Sequence, residues 1–376
     1  MDKICTIVAS NYLAQAKVLI ESVRNIYPTI EIYVLVIDGV PQDAKHLVGA
    51  QIIFPNDLEM PEAALDEMRR YYDAMELSTS LKPFLLKQLL KSATSVTYID
   101  PDVLLFSEIH EGIKAATEYG IAITPHRLTP PPLSILEKTE INFLKFGIFN
   151  LGYIAVSPKA LPMLTWWCER LRFYSTKFPG YEVFTDQKWI NFIPSYFEHK
   201  VIKSKGYNLA SWNLDERDLK YIEGSIHAGN DQLVFIHFAQ MSGKLSKGLE
   251  TKNWRDTIVE LNSESRHSLE IIEGITRDYS SRLIVEQQKI DELGLESIRE
   301  SISNLSYHRK KLEISDAFAA HSGKSNLKLK NKLLMKISYV NKLSLLLERS
   351  TGLNGFRDGL KTDLAKIFSK ITKKQR

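Results

Sequence analysis

The chain has 376 residues, of which 25% are charged and 44% hydrophobic, the balance of a soluble globular protein with one large or two ordinary domains. Only two cysteines occur, Cys5 and Cys168, which excludes a disulfide scaffold and a cysteine-rich zinc protein. No apolar run approaches the roughly 18 residues that span a bilayer, and the first residues lack the pattern of a signal peptide. A reducing, cytoplasmic setting is therefore expected.

The net charge of +4 is the sum of two unlike segments. Residues 301–376 contain 17 Lys and Arg against 5 Asp and Glu, a net charge of +12, whereas residues 1–300 carry −8. This asymmetry argues against a uniformly basic protein that coats nucleic acid, so no nucleic-acid partner is expected. An acidic body with a basic tail has to be explained in another way.

Three interpretations of the basic tail stay open. It is a solvated helical face, or an interfacial helix at an anionic membrane, because lysines alternate with leucine, isoleucine and tyrosine over 327–347. Nucleic-acid binding is the third and the weakest, since no recognised module accompanies the charge. A membrane-binding tail would place the protein at the inner face of the membrane. The stretch 280–312 would instead support an oligomer through a coiled coil, although its heptads are short and interrupted.

Short apolar runs and helical patterns alternate along the first half of the chain. Residues 4–10 and 32–37 are compact apolar runs of the kind that lies buried in a parallel sheet. Between them, apolar residues recur at helical spacing from Leu13 to Tyr27, and Pro28 ends the predicted helix.

The rest of the chain continues this alternation and then becomes purely helical. A helix is predicted over 81–91, with Pro83 in its first turn. Lys82 is expected at the surface of the helix start, with a donor-phosphate contact in the cleft as the alternative. Further strands are predicted at 95–99, 121–124, 153–157 and 233–238. The order predicts a Rossmann-like α/β fold, with a mainly parallel sheet and helices on both faces. An α/β domain is expected at 1–255 and a helical, basic C-terminal extension at 256–376.

Two aspartates flank one proline directly after the strand predicted at 95–99. Side chains two residues apart in an extended segment point to the same side, so the carboxylates of Asp100 and Asp102 are expected to converge. Two such charges about 4 Å apart repel by roughly 4 kcal/mol at an effective dielectric near 20, which favours a bound cation. Hard carboxylate oxygens suit Mg²⁺ or Mn²⁺. An ordinary solvated Asp-Pro-Asp turn is the alternative.

Five short motifs follow one another in a fixed order. They are 8–12 (VASNY), 98–102 (YIDPD), 149–152 (FNLG), 185–187 (TDQ, with Asn191 following) and 235–238 (FIHF). Together they resemble the retaining GT-A glycosyltransferases, particularly the glycogenin and bacterial lipopolysaccharide galactosyltransferase kind. The resemblance covers about residues 3–245 and implies a GT-A-type fold.

The resemblance also implies roles for individual residues. It implies that Asp100, Asp102 and His237 hold a divalent metal, Mn²⁺ or Mg²⁺, on the donor diphosphate. Asp186 and Gln187 would act catalytically, near the anomeric centre. The residues implied to contact the donor are Ser10, Asn11, Tyr12, Asn150, Gly152 and Lys244.

The implied activity is metal-dependent transfer of a sugar from a nucleotide-diphosphate donor, with a UDP-sugar favoured. The acceptor would be a glycan or a lipid-linked glycan, and the configuration would be retained. One alternative is a catalytically silent scaffold on the same fold that binds glycans or membranes. A second is a sugar-phosphate nucleotidyltransferase, which would be expected to carry a glycine-rich triphosphate loop where Ser10-Asn11-Tyr12 stand.

Two other residue groups have weaker signals. His126 and Arg127 precede the triproline 130–132, and this stretch is interpreted as a rigid surface loop, with an approach to the cleft as the alternative. A histidine such as His237 in an apolar strand is, on its own, more often a satisfied core residue than a metal ligand.

Overall fold

The computed structural model describes residues 1–38, 49–177, 182–239, 265–292, 314–318 and 320–321. The strands are β1 (Asp2–Val8), β2 (Glu31–Val36), β3 (Gln51–Ile53), β4 (Ser95–Ile99), β5 (Val103–Leu105), β6 (Ile121–Pro125), β7 (Phe149–Val156), β8 (Lys200–Val201), β9 (Leu219–Ile222), β10 (Ser225–Ala228), β11 (Asp231–Gln232) and β12 (Phe235–His237). The α-helices are α1 (Leu13–Ile26), α2 (Glu62–Tyr71), α3 (Ala74–Leu89), α4 (His110–Tyr119), α5 (Asn142–Phe146), α6 (Leu161–Tyr174), α7 (Ile193–Tyr196) and α8 (Ser265–Asp291).

The main sheet has seven strands in the order β3-β2-β1-β4-β7-β6-β8. The first four are mutually parallel, and β7 runs antiparallel to both of its neighbours, so β6 and β8 point the same way as β4. Every residue of β4 and β7 is buried, including the polar residues Ser95, Thr97 and Asn150. The expected α/β class with a mainly parallel sheet is confirmed.

Helix α3 begins seven residues earlier than the sequence pattern predicted. Asp73 caps it: the Asp73 carboxylate accepts from the N–H of Glu76, and the Glu76 carboxylate accepts from the N–H of Asp73, each at 3.0 Å. Pro83 therefore lies inside the helix, so its predicted position in the first turn was wrong. The reciprocal cap, an Asp followed three residues later by Glu, is the signal that marks the true start.

A two-stranded antiparallel pair, β5 with β12, lies next to the end of β4. The turn 100–102 joins β4 to β5, and β12 pairs with β5 so that His237 stands opposite Val103. The chain thereby returns, more than 130 residues later, to the place where the paired aspartates lie. A third, three-stranded sheet joins β9, β10 and β11.

Residues 1–305 form one compact unit and residues 306–376 a second. Within the first unit, α8 packs against α1 and β9 and adds Ile272, Tyr279 and Leu283 to the main hydrophobic core. The expected C-terminal extension therefore begins with a helix that packs on the α/β layer, while a division of function near residue 255 stays a prediction. Among the described helices, none is both long and apolar enough to span a bilayer.

Candidate metal centre

The turn between β4 and β5 positions the two aspartates. The N–H of Val103 donates to the Asp100 carbonyl at 3.2 Å and closes the turn, while the N–H of Asp100 donates to the Gly152 carbonyl on β7 at 2.9 Å. The residues are thus in a turn rather than in an extended strand, yet their carboxylates converge as predicted. The turn is tied to both β7 and β12, since the Asp102 carbonyl also accepts from the N–H of Phe238 at 2.8 Å.

His237 completes a three-residue group. Its Nε2 lies 3.2 Å from Asp102 Oδ1 and 3.8 Å from Asp100 Oδ2, and one ligand atom from each residue falls within 4.8 Å of the others. Pairing of β12 with β5 brings about this approach, because it aligns His237 with the residue that follows Asp102. Two carboxylates and one imidazole form a donor set that suits Mn²⁺ or Mg²⁺.

Asn150 determines which nitrogen of His237 faces the carboxylates. The Asn150 Oδ1 accepts from the N–H of Gly152 at 3.0 Å, which orients the amide, and the same oxygen lies 3.1 Å from His237 Nδ1. An oxygen acceptor requires Nδ1 to carry the proton, so the lone pair of the neutral ring lies on Nε2, the nitrogen beside the aspartates. An outer partner that fixes the tautomer in this way is characteristic of metal-binding histidines.

The electrostatic field of the site favours a positive charge next to Nε2. Burial by itself lowers the pKa of His237, but the charge and hydrogen bond of Asp102 and the charge of Asp100 outweigh burial and raise it. Enclosure in the protein raises the pKa of the Asp100 carboxyl, against the opposing attraction of Lys82 and His237. A cation bound between the three side chains would stabilise the ionised carboxylate of Asp100 and would take the place of the proton on Nε2 of His237.

Gly152 is required by the close approach of β7 to His237. A Cβ on Gly152 would lie 2.5 Å from both Cε1 and Nδ1 of the His237 ring and 2.9 Å from Asn150 Oδ1. Real Cβ atoms do not approach other atoms so closely, so a side chain at this position would displace the imidazole. The motif 149–152 therefore acts through the absence of a side chain as well as through Asn150.

Lys82 is buried and belongs to the site, which corrects its predicted position on the helix surface. Its Nζ lies 2.6 Å from Asp186 Oδ2, donates to the Leu151 carbonyl at 3.1 Å and stands 4.1 Å from the centre of the Tyr98 ring. A lysine that is only 2% exposed needs such partners, since an unpaired buried charge is strongly unfavourable. Because α3 begins at residue 74, this lysine faces the sheet instead of starting the helix.

Tyr98 and Lys82 both orient Asp100. The Tyr98 hydroxyl donates to Asp100 Oδ1 at 2.6 Å, and Lys82 Nζ lies 4.0 Å from the same oxygen. The other oxygen, Oδ2, is the one that faces His237. Burial raises the pKa of Tyr98 well above its ordinary value, and the charge of Asp100 raises it further, so the hydroxyl remains a donor.

Gln187 and Asp186 lie beside this group on a short helical segment. Gln187 Oε1 accepts from the N–H of Leu151 at 3.3 Å, and its Nε2 donates to the Phe146 carbonyl at 3.1 Å. Asp186 is buried and accepts from the Thr185 hydroxyl at 3.1 Å in addition to its ion pair. The side chain of Gln187 is thus held against the strand that carries Asn150 and Gly152.

The predicted donor loop lies at the same edge of the sheet as the metal group, because β1 and β4 are adjacent and parallel. Ser10, Asn11 and Tyr12 form one 3₁₀ turn, in which Ser10 is buried, Asn11 exposed and Tyr12 half-buried. Ser10 donates through its N–H and its hydroxyl to the two oxygens of Asp38, each at 2.8 Å. Lys244, the remaining predicted donor contact, lies outside the described residues.

His126 is buried and Arg127 half-buried, so the expectation of a surface loop was wrong for His126, whereas Pro130 and Pro132 are exposed as expected. His126 stacks on Phe143 with ring centroids 4.5 Å apart, and Trp212 packs edge-on against both His126 and His237. His126 Nε2 also lies 3.4 Å from the amide nitrogen of Asn150. These aromatic residues form a wall next to the metal group.

Sequence motifs located the three convergent ligands but assigned no definite role to several residues around them. These are Asp38, Lys82, Tyr98, His126 and Trp212. Asp38 follows the carboxyl end of β2, and such strand ends are where ligands bind in α/β sheets, so its position carried a usable signal. The burial of Lys82 and Trp212 was not predicted, because it depends on contacts between distant segments.

Comparisons with known proteins give distant similarities. No protein-family model matches the chain. It is similar to the uncharacterized protein YfnD of Bacillus subtilis (strain 168), with 23% identity over 243 residues, covering 62% of this chain and 76% of YfnD. Among solved structures it is similar to an active-site mutant of LgtC, with 15% identity, a TM-score of 0.46, and coverage of 71% of this chain and 100% of the other. Mouse xyloside xylosyltransferase 1 in its apo form has 13% identity, a TM-score of 0.38 and coverage of 56% and 88%.

Proposed function

We propose that this protein is a metal-dependent glycosyltransferase that takes its sugar from a nucleotide-diphosphate donor, a UDP-sugar by preference. The observation that carries the proposal is the convergence of Asp100, Asp102 and His237 beside the carboxyl end of β4. In open α/β sheets this edge is where nucleotides and their phosphates bind. The order of the five sequence motifs supports the same activity.

A few side chains of the proposed site would hold the metal, and others orient these ligands. Asp100, Asp102 and His237 would hold Mn²⁺ or Mg²⁺, which supplies Lewis-acid stabilisation of the charge that develops on the leaving diphosphate. Asn150 keeps the lone pair of His237 directed at the cation by accepting from Nδ1. Tyr98 holds one oxygen of Asp100 and leaves the other for coordination.

Asp186 and Gln187 are proposed to lie beside the anomeric carbon and to bind the hydroxyls of the donor sugar. Lys82 orients Asp186 through their 2.6 Å contact, and Gln187 is held by the backbone at Leu151 and Phe146. In the proposed reaction the acceptor hydroxyl attacks from the side on which the diphosphate leaves, and the configuration is retained. The carbon–oxygen bond to the acceptor forms as the bond to the diphosphate breaks, and the proton of the acceptor hydroxyl passes to the departing diphosphate.

Residues 10–12 are proposed to contact the nucleotide. Ser10 is held in place by Asp38, which fixes the turn at the end of β1. The acceptor is proposed to be a glycan or a lipid-linked glycan, and the basic tail would bring the enzyme to an anionic membrane surface on the cytoplasmic side. Tail binding to anionic lipid and catalysis are separate parts of the proposal.

Metal-dependent donor binding tests the proposal. UDP, GDP and dTDP are titrated with and without Mn²⁺ while the melting temperature is followed, because a ligand that binds only the folded state raises it. UDP with Mn²⁺ is expected to stabilise the wild type, and Asp102→Asn is expected to lose the Mn²⁺-dependent part of that shift. Asp66→Asn, at an exposed carboxylate on α2, serves as the matched control and should behave as the wild type.

Hydrolysis of a panel of sugar nucleotides then identifies the donor. Release of the nucleotide diphosphate should require Mn²⁺ or Mg²⁺ and should fall at least about a hundredfold in Asp102→Asn, as for loss of a principal electrostatic contact. An unchanged metal-dependent UDP shift in Asp102→Asn would contradict the metal assignment. Binding without any hydrolysis or transfer would favour a silent scaffold.

A further inference from the structure

Helix α8 contributes an aromatic side chain to the back of the metal centre. Tyr279 is fully buried, and its ring stacks on Phe238 with centroids 4.0 Å apart and planes only 7° from parallel. Phe238 directly follows His237, and its N–H donates to the Asp102 carbonyl at 2.8 Å. The stacked pair of Tyr279 and Phe238 therefore supports the residue that follows His237 in the chain and is hydrogen-bonded to Asp102.

The Tyr279 hydroxyl does not anchor this side chain. It makes no hydrogen bond within the described part of the chain although it is buried. Burial raises the pKa of Tyr279, and the negative charge of Asp102 raises it further. The stacking contact with Phe238 is therefore the feature that links Tyr279 to the ligand residues.

The end of β12 is held by backbone contacts on both sides. The strand has three residues, Phe235, Ile236 and His237; it pairs with β5, and the N–H of His237 donates to the Leu209 carbonyl at 2.8 Å. Phe238, the next residue, donates its N–H to the Asp102 carbonyl and stacks on the ring of Tyr279. Loss of the ring would remove the stacking contact next to His237 and thereby loosen the position of His237 against the aspartates.

We propose that Tyr279 is a positioning residue of the metal centre, whose ring holds Phe238 and thereby keeps His237 and Asp102 at coordinating distance. The inference rests on the proposed metal-dependent function, and it extends the site to a helix that lies outside the sequence motifs. It makes α8 a part of the catalytic unit. The ring carries the effect, and the hydroxyl does not.

Mn²⁺ binding to the full-length protein provides the test, measured by the electron paramagnetic resonance signal of free Mn²⁺ and by calorimetry. Tyr279→Met keeps an apolar side chain of similar volume but removes the stacked ring, and it is expected to weaken Mn²⁺ binding about tenfold, as for loss of an outer partner of a metal ligand. Tyr279→Phe keeps the ring and should bind Mn²⁺ within about twofold of the wild type on the same reasoning.

Leu283→Ala is the matched control, since Leu283 is equally buried on the same helix and belongs to the same core. It should lower the melting temperature without a change in Mn²⁺ affinity of the folded protein. Equal Mn²⁺ affinities in Tyr279→Met and Leu283→Ala would overturn the proposal, as would a loss in Tyr279→Phe as large as that in Tyr279→Met.

Phe238→Leu removes the same stack from the other side and should weaken Mn²⁺ binding by a similar factor, which keeps the proposal testable if Tyr279→Met fails to fold. If both single variants fold, their combination in one chain should weaken binding no more than either alone, because they break one contact. Additive losses would contradict the proposed coupling. Absence of Mn²⁺ binding in the wild type would instead count against the proposed function, which separates the two failures.

Discussion

Gly152 is the residue at which the backbone and the metal group meet most closely. Gly152→Ala would place a Cβ 2.5 Å from the His237 ring, so the imidazole must move or β7 must shift. We expect a loss of about 1–3 kcal/mol in the free energy of unfolding, typical of overpacking, together with a loss of Mn²⁺-dependent UDP binding. Denaturant unfolding and the thermal shift with UDP and Mn²⁺ measure the two effects.

Gly274 on α8 is a fitting control for that substitution. No atom lies within 4 Å of a Cβ built there, and the residue is helical, so alanine should stabilise the protein by up to about 1 kcal/mol through helix propensity. Mn²⁺-dependent UDP binding should be unchanged. Equal effects of alanine at the two glycines would contradict the steric explanation.

His126 makes stability sensitive to acid. Burial lowers its pKa to about 3, whereas an unfolded histidine titrates near 6.5. Between these values the unfolded chain binds the extra proton, so stability contributed by neutral His126 is complete above pH 6.5 and falls as the pH drops towards 3. The maximal slope for one proton is about 1.4 kcal/mol per pH unit.

His126→Asn should therefore lose less stability than the wild type between pH 7.5 and pH 5. The expected difference between the two losses is about 2 kcal/mol, from 1.5 units of pH below the unfolded pKa. Urea unfolding at both pH values measures it, and above pH 7 the two proteins should share one slope. Parallel pH dependence throughout would show that His126 is not the buried group that titrates.

Single residues differed in how well the sequence revealed them. Asp100, Asp102 and His237 could be found because like charges two residues apart and a histidine in a late strand form a known ligand pattern. The burial of Lys82 was not predicted, because it depends on the ion pair with Asp186, a residue 104 positions away in the chain. An ion pair between residues so far apart is formed by the fold, and it produces no periodic pattern in the sequence.

At the scale of elements, a charge cluster ties the segment after β6 to residues 212–217. The guanidinium of Arg127 makes two contacts of 2.6 Å with the Asp215 carboxylate and donates to the Trp212 carbonyl at 2.9 Å. Glu216 accepts from the N–H groups of Leu128 and Thr129. The cluster holds the aromatic wall of His126 and Trp212 beside His237.

Arg127→Met would leave Asp215, whose side chain is only 6% exposed, without its partner. We expect a loss of about 3–5 kcal/mol in the free energy of unfolding, because an uncompensated charge would stay buried. Adding Asp215→Asn removes that charge and should restore part of the stability. Chemical denaturation of both variants measures the effect, and a double variant as unstable as Arg127→Met would refute the buried-pair account.

Elements with strong periodicity were predicted well, and those defined by tertiary contacts were not. The strands β1, β2, β4 and β6 lie within one or two residues of their apolar runs, because burial on both faces leaves little choice of residue. Helix α3 was misplaced because its first two turns, 74–80, lack a strong apolar pattern and depend on the cap at Asp73. The pairing of β5 with β12 is too short and too distant in sequence to be predicted.

For the whole molecule, the charge asymmetry supports the proposal that the donor and an anionic membrane surface bind to different parts of the chain. The proposed site lies in the unit Met1–Leu305, and the +12 charge lies in the unit Ser306–Arg376, since residues 301–305 carry no charge. A divalent cation between Asp100 and Asp102 reconciles the acidic first unit with a diphosphate ligand. The proposed donor site therefore does not need the basic residues of 306–376, which are proposed to bind an anionic membrane surface.

Truncation after Leu305 tests this separation of roles. The shortened chain keeps α8 with Tyr279 and should retain Mn²⁺-dependent UDP stabilisation, while co-sedimentation with vesicles rich in anionic lipid should fall steeply, since each basic residue near such a surface adds about 1 kcal/mol. Vesicles of neutral lipid, and anionic vesicles at high salt, serve as controls for the electrostatic origin of binding. Undiminished binding of the truncated chain to anionic vesicles would assign the membrane contact to the first unit, and a folded truncation unable to bind UDP would show that residues 306–376 take part in donor binding.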